Sequence, residues 1–476
     1  MRTQLFIDNE WRDAASGELL EVVNPATEEV LAAAHAAGDA DVDAAVGAAR
    51  RCFEGDAWRG LSPRQRGALL HRAGELLHER RKEMAELETR QNGKTLFESR
   101  IDVASTVETL QYYGGWADKL DGAVLPVSGD SLVYTVREPL GVVGAIVPWN
   151  FPLNLASWKF APALAAGCTV VLKPAPETPL TALAMAEIMQ EAGFPPGAFN
   201  VIPGDGPTTG AALVRSPGVD KIAFTGSTAV GKEVMRAAAD SVKRVTLELG
   251  GKSPNIIFAD ADLQAAVKGA QNGIFYGKGE VCAAGSRLLV ERAVHDQVVE
   301  ELAARAKQLV PGDPMEKSTR LGAIASKRQH DKVMSYIAAG KAEATLVAGG
   351  SAAQVNGKGY FVEATVFDGA EPGMKIVDEE IFGPVLSVIA FDDAQEAVRL
   401  ANQTIYGLAA GIWTRDIQKA FRVARAVRAG TVWINSYNLY DSAAPFGGFK
   451  ASGFGRDLGR EALDGYSDSK TVWVGL

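Results

Sequence analysis

Five short apolar runs decide the fold: GVVGAIV at 141–147, CTVVLK at 168–173, FNVIPG at 199–204, KIAFTG at 221–226 and RVTLELG at 244–250. Helical segments separate them, near 155–166, 180–192, 207–215 and 228–239. Continuous apolar strands that alternate with helices are typical of a parallel sheet with both faces buried. The sequence therefore predicts a doubly wound α/β domain.

The same alternation restarts near Gly250, which predicts a second α/β domain. Its strands are expected in PNIIF (254–258), RLLVE (287–291), VLSVIAF (385–391), AAGIWT (409–414) and TVWIN (431–435). Its helices are expected near 262–275, 294–309, 394–402 and 416–428.

The segments outside this alternation predict a helical and a β part. An amphipathic helix is expected over 62–90, where Ser62-Pro63 forms an N-cap followed by proline, and another over 98–120. Residues 124–138 alternate around a Gly129-Asp130 turn like a hairpin. The last residues, SDSKTVWVGL, predict a strand that docks on another domain or subunit, because an exposed strand edge promotes association.

Length and charge exclude some classes of protein. The 476 residues allow about two to four domains. The 49 basic and 58 acidic residues give a net charge of −9 without blocks of one sign, which disfavours a nucleic-acid-binding surface. The uncharged stretch 140–158 is interrupted by Pro148 and Pro152, so we expect no membrane span. The amino-terminal residues lack the apolar core of a signal peptide.

The three cysteines, Cys52, Cys168 and Cys282, are more than 100 residues apart. This spacing fits neither a disulfide framework nor a CxxC metal site, so we expect a reducing cytoplasm and no metal. Cys282 lies in the small-residue turn GEVCAAGSR just before a predicted strand. An isolated cysteine is usually a core residue, but one presented on a loop can act as a nucleophile with a lowered pKa.

The segment GSTAVGKE at 226–233 nearly matches the phosphate-binding G-x-x-x-x-G-K-[ST] motif. Glu233 replaces the hydroxyl residue that holds magnesium, which disfavours a nucleoside triphosphatase. A strand that leads into a helix N-terminus still favours an anion, although a plain Gly-rich turn is the alternative. The usual G-x-G-x-x-G motif is absent.

Two further polar residues lie where predicted strands end. Glu248 ends RVTLEL and is expected at the carboxyl edge of the sheet, where a half-buried carboxylate can act as a base or form a salt bridge. Asn150, in VPWNFP, has an amide that can donate to a developing oxyanion, or it is a turn residue.

Seven segments together resemble the aldehyde dehydrogenase superfamily in type and order: PWNFP, LKPAPETPLTAL, FTGSTAVGK, LELGGKSPNIIF, GEVCAAGSR, EEIFGPV and PFGGFKASGFGRDLG. The resemblance implies that Cys282 is the nucleophile and Glu248 the general base, with Asn150 and the Cys282 backbone N–H as the oxyanion hole. It also implies oxidation of an aldehyde to the carboxylic acid through a thiohemiacetal and a thioacyl intermediate. A base at position 248 favours hydrolysis over transfer to coenzyme A.

The resemblance also implies a site for NAD. Its residues would be Trp149, Lys173, Gly206, Gly226, Ser227, Val230, Gly231, Leu249, Glu380 and Phe382. One departure concerns Pro176, where family members that prefer NAD often carry a glutamate that repels a 2′-phosphate. Proline offers neither acceptor nor repulsion, so NADP stays open as an alternative cofactor.

The same resemblance implies a substrate channel lined by Phe151, Leu155, Trp158, Val281, Tyr440 and Phe446. This aromatic, uncharged lining favours apolar or aromatic aldehydes. A betaine aldehyde held by cation–π attraction and a carboxylate-bearing semialdehyde are the alternatives. These side chains can also be packing residues.

The expected domains are an NAD(P)-binding domain of residues 1–120 and 140–249, a catalytic domain of 250–449, and bridging segments of 121–139 and 450–476. The resemblance implies a homodimer or homotetramer. Outside the family, the alternatives are a cofactor-independent thiol esterase and a binding protein that has lost its chemistry.

Overall fold

The structure is a computed structural model that describes residues 2–476. Its first large sheet has eight strands, five of them parallel in the centre. In spatial order these strands are Glu10–Arg12, Leu5–Ile7, Phe199–Val201, Thr169–Lys173, Val142–Ile146, Lys221–Thr225, Arg244–Glu248 and Gly453–Phe454. The chain order reverses between Val142–Ile146 and Lys221–Thr225, which makes their carboxyl ends the topological switch point of the sheet.

The second large sheet has seven strands, of which only the first is antiparallel to its neighbour. In spatial order they are Thr345–Ala348, Thr365–Asp368, Val385–Phe391, Arg287–Glu291, Pro254–Ile257, Ala409–Trp413 and Thr431–Ile434. Here the order reverses between Pro254–Ile257 and Ala409–Trp413.

A three-stranded sheet brings the C-terminus to the middle of the chain. The strand Ser467–Gly475 pairs antiparallel with Ser131–Pro139 over nine residue pairs, and Val124–Leu125 pairs with the other side of Ser131–Pro139. The terminal strand thus has its partner within its own chain. Two smaller hairpins join Leu19–Val23 to Val30–His35 and Ala352–Val355 to Lys358–Val362.

Sixteen α-helices occur within residues 2–476, mostly around the sheets. They are Asp39–Glu54, Asp56–Arg59, Pro63–Glu79, Arg81–Asn92, Leu96–Trp116, Pro152–Ala166, Leu180–Glu191, Ala211–Arg215, Thr228–Ala239, Leu263–Phe275, His295–Gln308, Lys327–Glu343, Lys375–Asp378, Ala394–Asn402, Ile417–Ala426 and Glu461–Asp464. A π-helical turn, Gly206–Gly210, precedes Ala211–Arg215, and 3₁₀ turns occur at Tyr276–Gly279, Arg292–Val294 and Lys450–Ser452.

The predicted fold class is confirmed. Five parallel strands, Val142–Ile146, Thr169–Lys173, Lys221–Thr225, Pro254–Ile257 and Ala409–Trp413, are buried at every residue, as expected for sheets covered on both faces. No helix within residues 2–476 is long and apolar enough to cross a membrane. The proposed domain boundaries stay a prediction.

The single helix predicted over 62–90 is wrong, because the structure has two helices, Pro63–Glu79 and Arg81–Asn92. They meet at Arg80, whose φ of −94° and ψ of 9° are not helical. The junction is flanked by exposed charged residues, and the Arg80 guanidinium pairs with the Glu191 carboxylate of the helix Leu180–Glu191. The apolar spacing continues across the break, so periodicity alone does not reveal it.

A buried arginine joins a strand of the second large sheet to a neighbouring loop and to the helix Ala394–Asn402. Arg287 is 2% exposed, and its guanidinium donates to the carbonyls of Lys252, Leu400 and Ala401 at 2.8–2.9 Å. A buried carbonyl that loses its hydrogen-bond donor has no water to replace it, and this costs folding free energy.

We therefore expect Arg287→Met to lower the free energy of unfolding by about 3 kcal/mol or more. Thermal unfolding followed by circular dichroism would show a midpoint several degrees lower. Arg292→Met is the matched control, because Arg292 pairs with Asp392 on the surface and such pairs contribute little. Equal midpoints for the two variants would contradict a structural role for Arg287.

Candidate active site

A groove of about 690 Å³ opens at the switch point of the first sheet. It is lined by Pro148 and Trp149, which follow the strand Val142–Ile146, and by Gly226 and Ser227, which follow Lys221–Thr225. Ser227 caps the helix Thr228–Ala239, with its Oγ accepting from the N–H of Val230 at 3.3 Å. The remaining free N–H groups of this turn favour an anionic group in the groove.

The far end of the groove contains Lys173, Gly206 and Val230. The buried Lys173 ammonium donates to the carbonyls of Pro174 and Gly204 at 2.8 and 2.7 Å. Burial lowers the pKa of Lys173 to about 8. A Cβ on Gly206 would meet no atom within 4 Å, so this glycine leaves space in the groove.

Two glycines allow close packing of the elements beside the groove. A Cβ on Gly226 would lie 2.5 Å from the Phe224 ring. A Cβ on Gly231 would lie 2.5 Å from Cδ2 of Leu249, so Gly231 lets the helix pack against Leu249 and does not itself line the groove. The glycine at 231 therefore positions the helix.

Pro176 lines the groove, as does its neighbour Glu177. The Glu177 carboxylate accepts from the Arg328 guanidinium at 3.0 Å. The acidic group next to Pro176 is thus paired with a cation that also faces the groove.

The groove continues into a cavity of about 350 Å³. Trp149, Thr225, Gly226 and Ser227 line both spaces. The inner cavity also contains most of the residues predicted for the reaction and for the inner end of the cofactor site: Asn150, Leu155, Leu249, Cys282, Glu380 and Phe382.

Cys282 is half-buried in this cavity, on the turn that follows Gly277 and Lys278. Burial, followed by the carboxylates of Glu248 and Glu380, raises the pKa of the Cys282 thiol to about 12, and nearby backbone N–H groups offset part of this rise. The expected low pKa is therefore wrong for the protein without ligands. The reason is that burial and the charges of two acids distant in sequence, Glu248 and Glu380, favour the neutral thiol.

Glu248 ends its strand with the carboxylate fully buried, and neither oxygen has a hydrogen-bond partner among residues 2–476. Burial raises the pKa of Glu248 well above its usual range. The charge of Asp457 raises it further, and Lys159 and Arg456 lower it. Glu248 does not line the inner cavity, but its charge reaches Cys282.

Asn150 is buried, and its Nδ2 donates to the carbonyl of Glu280 at 2.8 Å. This bond uses one of the two amide hydrogens and fixes the side chain beside the turn that carries Cys282. The other hydrogen is free to donate into the cavity.

The predicted channel residues form an aromatic cluster. Trp158 lies 6.2 Å from Tyr440 and 5.7 Å from Phe446 between ring centres, and Tyr440 and Phe446 are 5.5 Å apart. Phe151 stacks on Tyr276, with ring centres 6.5 Å apart. Val281 is buried with Leu155 and Trp158 in one apolar cluster.

Sequence reasoning missed several residues of the site. Lys159 and Asp457 form a fully buried ion pair behind Glu248. Lys159 was detectable as the one charge in the apolar helix Pro152–Ala166, whereas nothing in the sequence links it to Asp457. Gln329 and Lys332, from the helix Lys327–Glu343, also line the inner cavity. The Thr225 hydroxyl is buried without a partner among residues 2–476.

Comparison with known proteins identifies the family. The model of the aldehyde dehydrogenase family matches residues 11–472. The chain is 49% identical to the putative aldehyde dehydrogenase DhaS of Bacillus subtilis, over 99% of this chain and 96% of the relative. It is 48% identical to human retinal dehydrogenase 2, over 99% of this chain and 92% of the relative.

Solved structures agree. An aldehyde dehydrogenase of Bacillus cereus in complex with NAD⁺ is 50% identical, with a TM-score of 0.98 over 100% of this chain and 97% of the other. An indole-3-acetaldehyde dehydrogenase of P. syringae, solved with NAD⁺ and IAA, is 46% identical with the same TM-score and coverage. The family predicted from the seven segments is thereby confirmed. The chain belongs to the aldehyde dehydrogenase family, whose enzymes oxidise an aldehyde to the carboxylic acid with a nicotinamide cofactor.

Proposed function

We propose that Cys282 is the nucleophile, Glu248 the general base and Asn150 an oxyanion donor in the oxidation of an aldehyde to its acid. One observation carries this proposal. The Cys282 thiol lies in a cavity continuous with the groove at the switch point of the first sheet, where α/β sheets bind their ligands.

In the first step the Cys282 thiol gives its proton to solvent in the open cavity, and the sulfur bonds to the aldehyde carbon. The carbonyl oxygen becomes an oxyanion, within reach of the free Asn150 amide hydrogen and the Cys282 backbone N–H. Such preorganised donors typically contribute about 3 kcal/mol to stabilisation of the transition state. Loss of hydride from the resulting thiohemiacetal leaves a thioester on Cys282.

In the second step water attacks the thioester, and the acid and the free thiol are released. Glu248 would remove a proton from this water. Its burial and raised pKa make the carboxylate a stronger base than an exposed glutamate, which suits proton abstraction near neutral pH.

The residues of the groove fit NAD, which supplies the hydride acceptor when bound. Ser227 and the helix N-terminus suit the pyrophosphate, the unpartnered Thr225 hydroxyl offers a hydrogen bond, and Glu380 suits the nicotinamide ribose. Glu380 accepts from the Gly251 N–H at 3.0 Å, which holds its carboxylate at the inner end. The NAD⁺ complexes of similar solved structures support NAD as the main cofactor. Because Glu177 is paired with Arg328, its carboxylate repels a 2′-phosphate less, so NADP is the alternative.

We expect the predicted channel to favour apolar or aromatic aldehydes as substrates. Trp158, Tyr440 and Phe446 form a wall without a charged group, which offers a dry surface to a hydrocarbon or a ring. The same wall can hold a trimethylammonio group, and a carboxylate-bearing semialdehyde would find no cation on it.

We also propose that the protein is a homo-oligomer of the reducing cytoplasm. Val124, Leu132 and Val474 are exposed on one face of the three-stranded sheet, and Ser467–Gly475 is its free edge. An apolar face beside a free edge is suited to association with a second copy. The three cysteines are free, which suits a reducing compartment.

Steady-state rates of aldehyde oxidation test the function. They are measured with NAD and with NADP, and the substrates are an aromatic, a medium-chain, a trimethylammonio and a carboxylate-bearing aldehyde. We expect an apolar or aromatic aldehyde with NAD to give the highest kcat/KM. Cys282→Ala should abolish formation of the reduced cofactor. Glu248→Gln should retain a first burst of about one equivalent per subunit while the steady rate falls about 10²–10³-fold. Ester cleavage that is fast without cofactor, with no aldehyde oxidised, would favour the esterase alternative.

The reactivity of Cys282 should depend on pH in a defined direction. A thiol with a pKa of about 12 reacts through a small thiolate fraction, so alkylation of the cofactor-free enzyme should accelerate about tenfold per pH unit from pH 7 to 10. Mass spectrometry of the Cys282 peptide after timed iodoacetamide treatment measures this rate, with glutathione as the reference thiol. A plateau below pH 9 would contradict the raised pKa.

Oligomerisation through the three-stranded sheet predicts that the double variant Leu132→Glu, Val474→Glu sediments as a smaller species than the wild type. Two carboxylates on the apolar face would have to be desolvated in the interface. Thr471→Glu, an exposed change on the opposite face of the same strand, is the matched control and should leave the sedimentation coefficient unchanged. An unchanged coefficient for the double variant would exclude this face as the interface.

A further inference from the structure

A second cavity, of about 640 Å³, lies outside the groove and the inner cavity. Its apolar lining comes from three parts of the chain, with Phe97 after the start of a long helix, Phe275 at the end of another, and Trp413 at the end of a strand. Trp413 ends one of the two strands between which the order of the second sheet reverses. This volume is in the range of small-molecule sites, and the position is one that α/β sheets use for ligands.

Three basic side chains line the same cavity. They are Lys268, Arg305 and Arg320, and within residues 2–476 no carboxylate oxygen lies within 4 Å of any of them. Arg305 donates to the Gln271 side chain at 3.4 Å, and Arg320 donates to main-chain carbonyls. Cations that surround an apolar space without acidic partners favour an anion with an apolar body.

The lining contains one carboxylate, that of Glu98, and both of its oxygens already accept hydrogen bonds from other residues of the chain. Its Oε2 accepts from the N–H and the hydroxyl of Thr95 at 2.8 Å. Its Oε1 accepts from the N–H of Gly277 at 2.7 Å. Glu98 therefore ties the cavity to Gly277 instead of pairing with the three cations.

Gly277 begins the turn that leads to Cys282. It has a φ of +58°, and Lys278 follows with a φ of +61°, so this turn is held in the left-handed region. Tyr276, the residue before Gly277, lines the second cavity and stacks on Phe151 of the predicted channel. A molecule in the second cavity would thus contact Tyr276, which packs against the predicted channel, and Glu98, which holds the reactive turn.

We propose that this cavity binds an apolar carboxylate, the chemical class of the acid that the proposed reaction releases, and that binding there slows turnover. Lys268 and Arg305 hold the carboxylate, while Phe97, Phe275 and Trp413 cover the apolar body. That this ligand belongs to the same chemical class as the reaction product rests on the proposed function. The binding itself depends only on the cavity.

Calorimetric titration of octanoate and phenylacetate into the enzyme tests the binding. Cys282 is first alkylated with iodoacetamide, so that the cavity at the thiol is blocked. We expect one carboxylate per subunit and at least about tenfold weaker binding to the double variant Lys268→Gln, Arg305→Gln. Lys307→Gln, on the same helix as Arg305 but outside the lining, is the matched control and should bind as the wild type does. Octylammonium should not bind.

Inhibition of the unmodified enzyme supplies the second readout. Octanoate should lower kcat at saturating aldehyde in the wild type and in Lys307→Gln, and this effect should be lost in the double variant. If the double variant fails to fold, Arg305→Gln alone replaces it and should weaken both the binding of octanoate and the inhibition by it. Absence of heat, or equal affinity in the wild type and the double variant, would overturn the proposal. Aldehyde turnover by the wild type without carboxylate reports separately on the proposed function.

Discussion

Burial of parallel strands on both faces is the constraint on which the rest of this structure depends. Parallel strands cannot be joined by hairpins, so helices connect them and cover the sheet, and all carboxyl ends meet at one edge. At the point where the order reverses, two loops diverge and leave a groove between them. The loops after Val142–Ile146 and Lys221–Thr225 line that groove, and Glu248 ends the next strand.

Burial also determines the charge states at the site. Cys282 and Glu248 both lie in surroundings that favour their neutral forms, and the charges of Glu248, Glu380 and Asp457 add to that preference. The buried Lys159–Asp457 pair lies behind Glu248, where its two charges act on the glutamate in opposite directions. The resting site therefore holds protons that the proposed reaction has to release, and proton transfer is an integral part of its chemistry.

Local pattern in the sequence was sufficient for five parallel strands of each large sheet and for most helices, because an apolar run such as Lys221–Thr225 is buried along its whole length. It did not predict the short strands within residues 5–35 and 345–368 or the helices Asp39–Glu54 and Lys327–Glu343. It failed at Arg80, where a helix breaks without a change in apolar spacing. The sequence also predicted that Cys282, Asn150 and most of the residues expected to bind the cofactor lie at one site, since each follows a strand or belongs to a family motif. The pKa of Cys282 was not, because it depends on acids 34 and 98 residues away. The basic cavity likewise combines side chains from three separate segments.

The pairing of the C-terminal strand has a consequence for how the protein is made. Ser467–Gly475 completes the three-stranded sheet against Ser131–Pro139, and Gly453–Phe454 adds to the first large sheet beside Arg244–Glu248. Both partners leave the ribosome some 200 residues or more before the strands that complete them. During synthesis these edges are open until the strands that complete them have been made. The nascent protein therefore passes through a long interval in which other chains can compete for its strand edges.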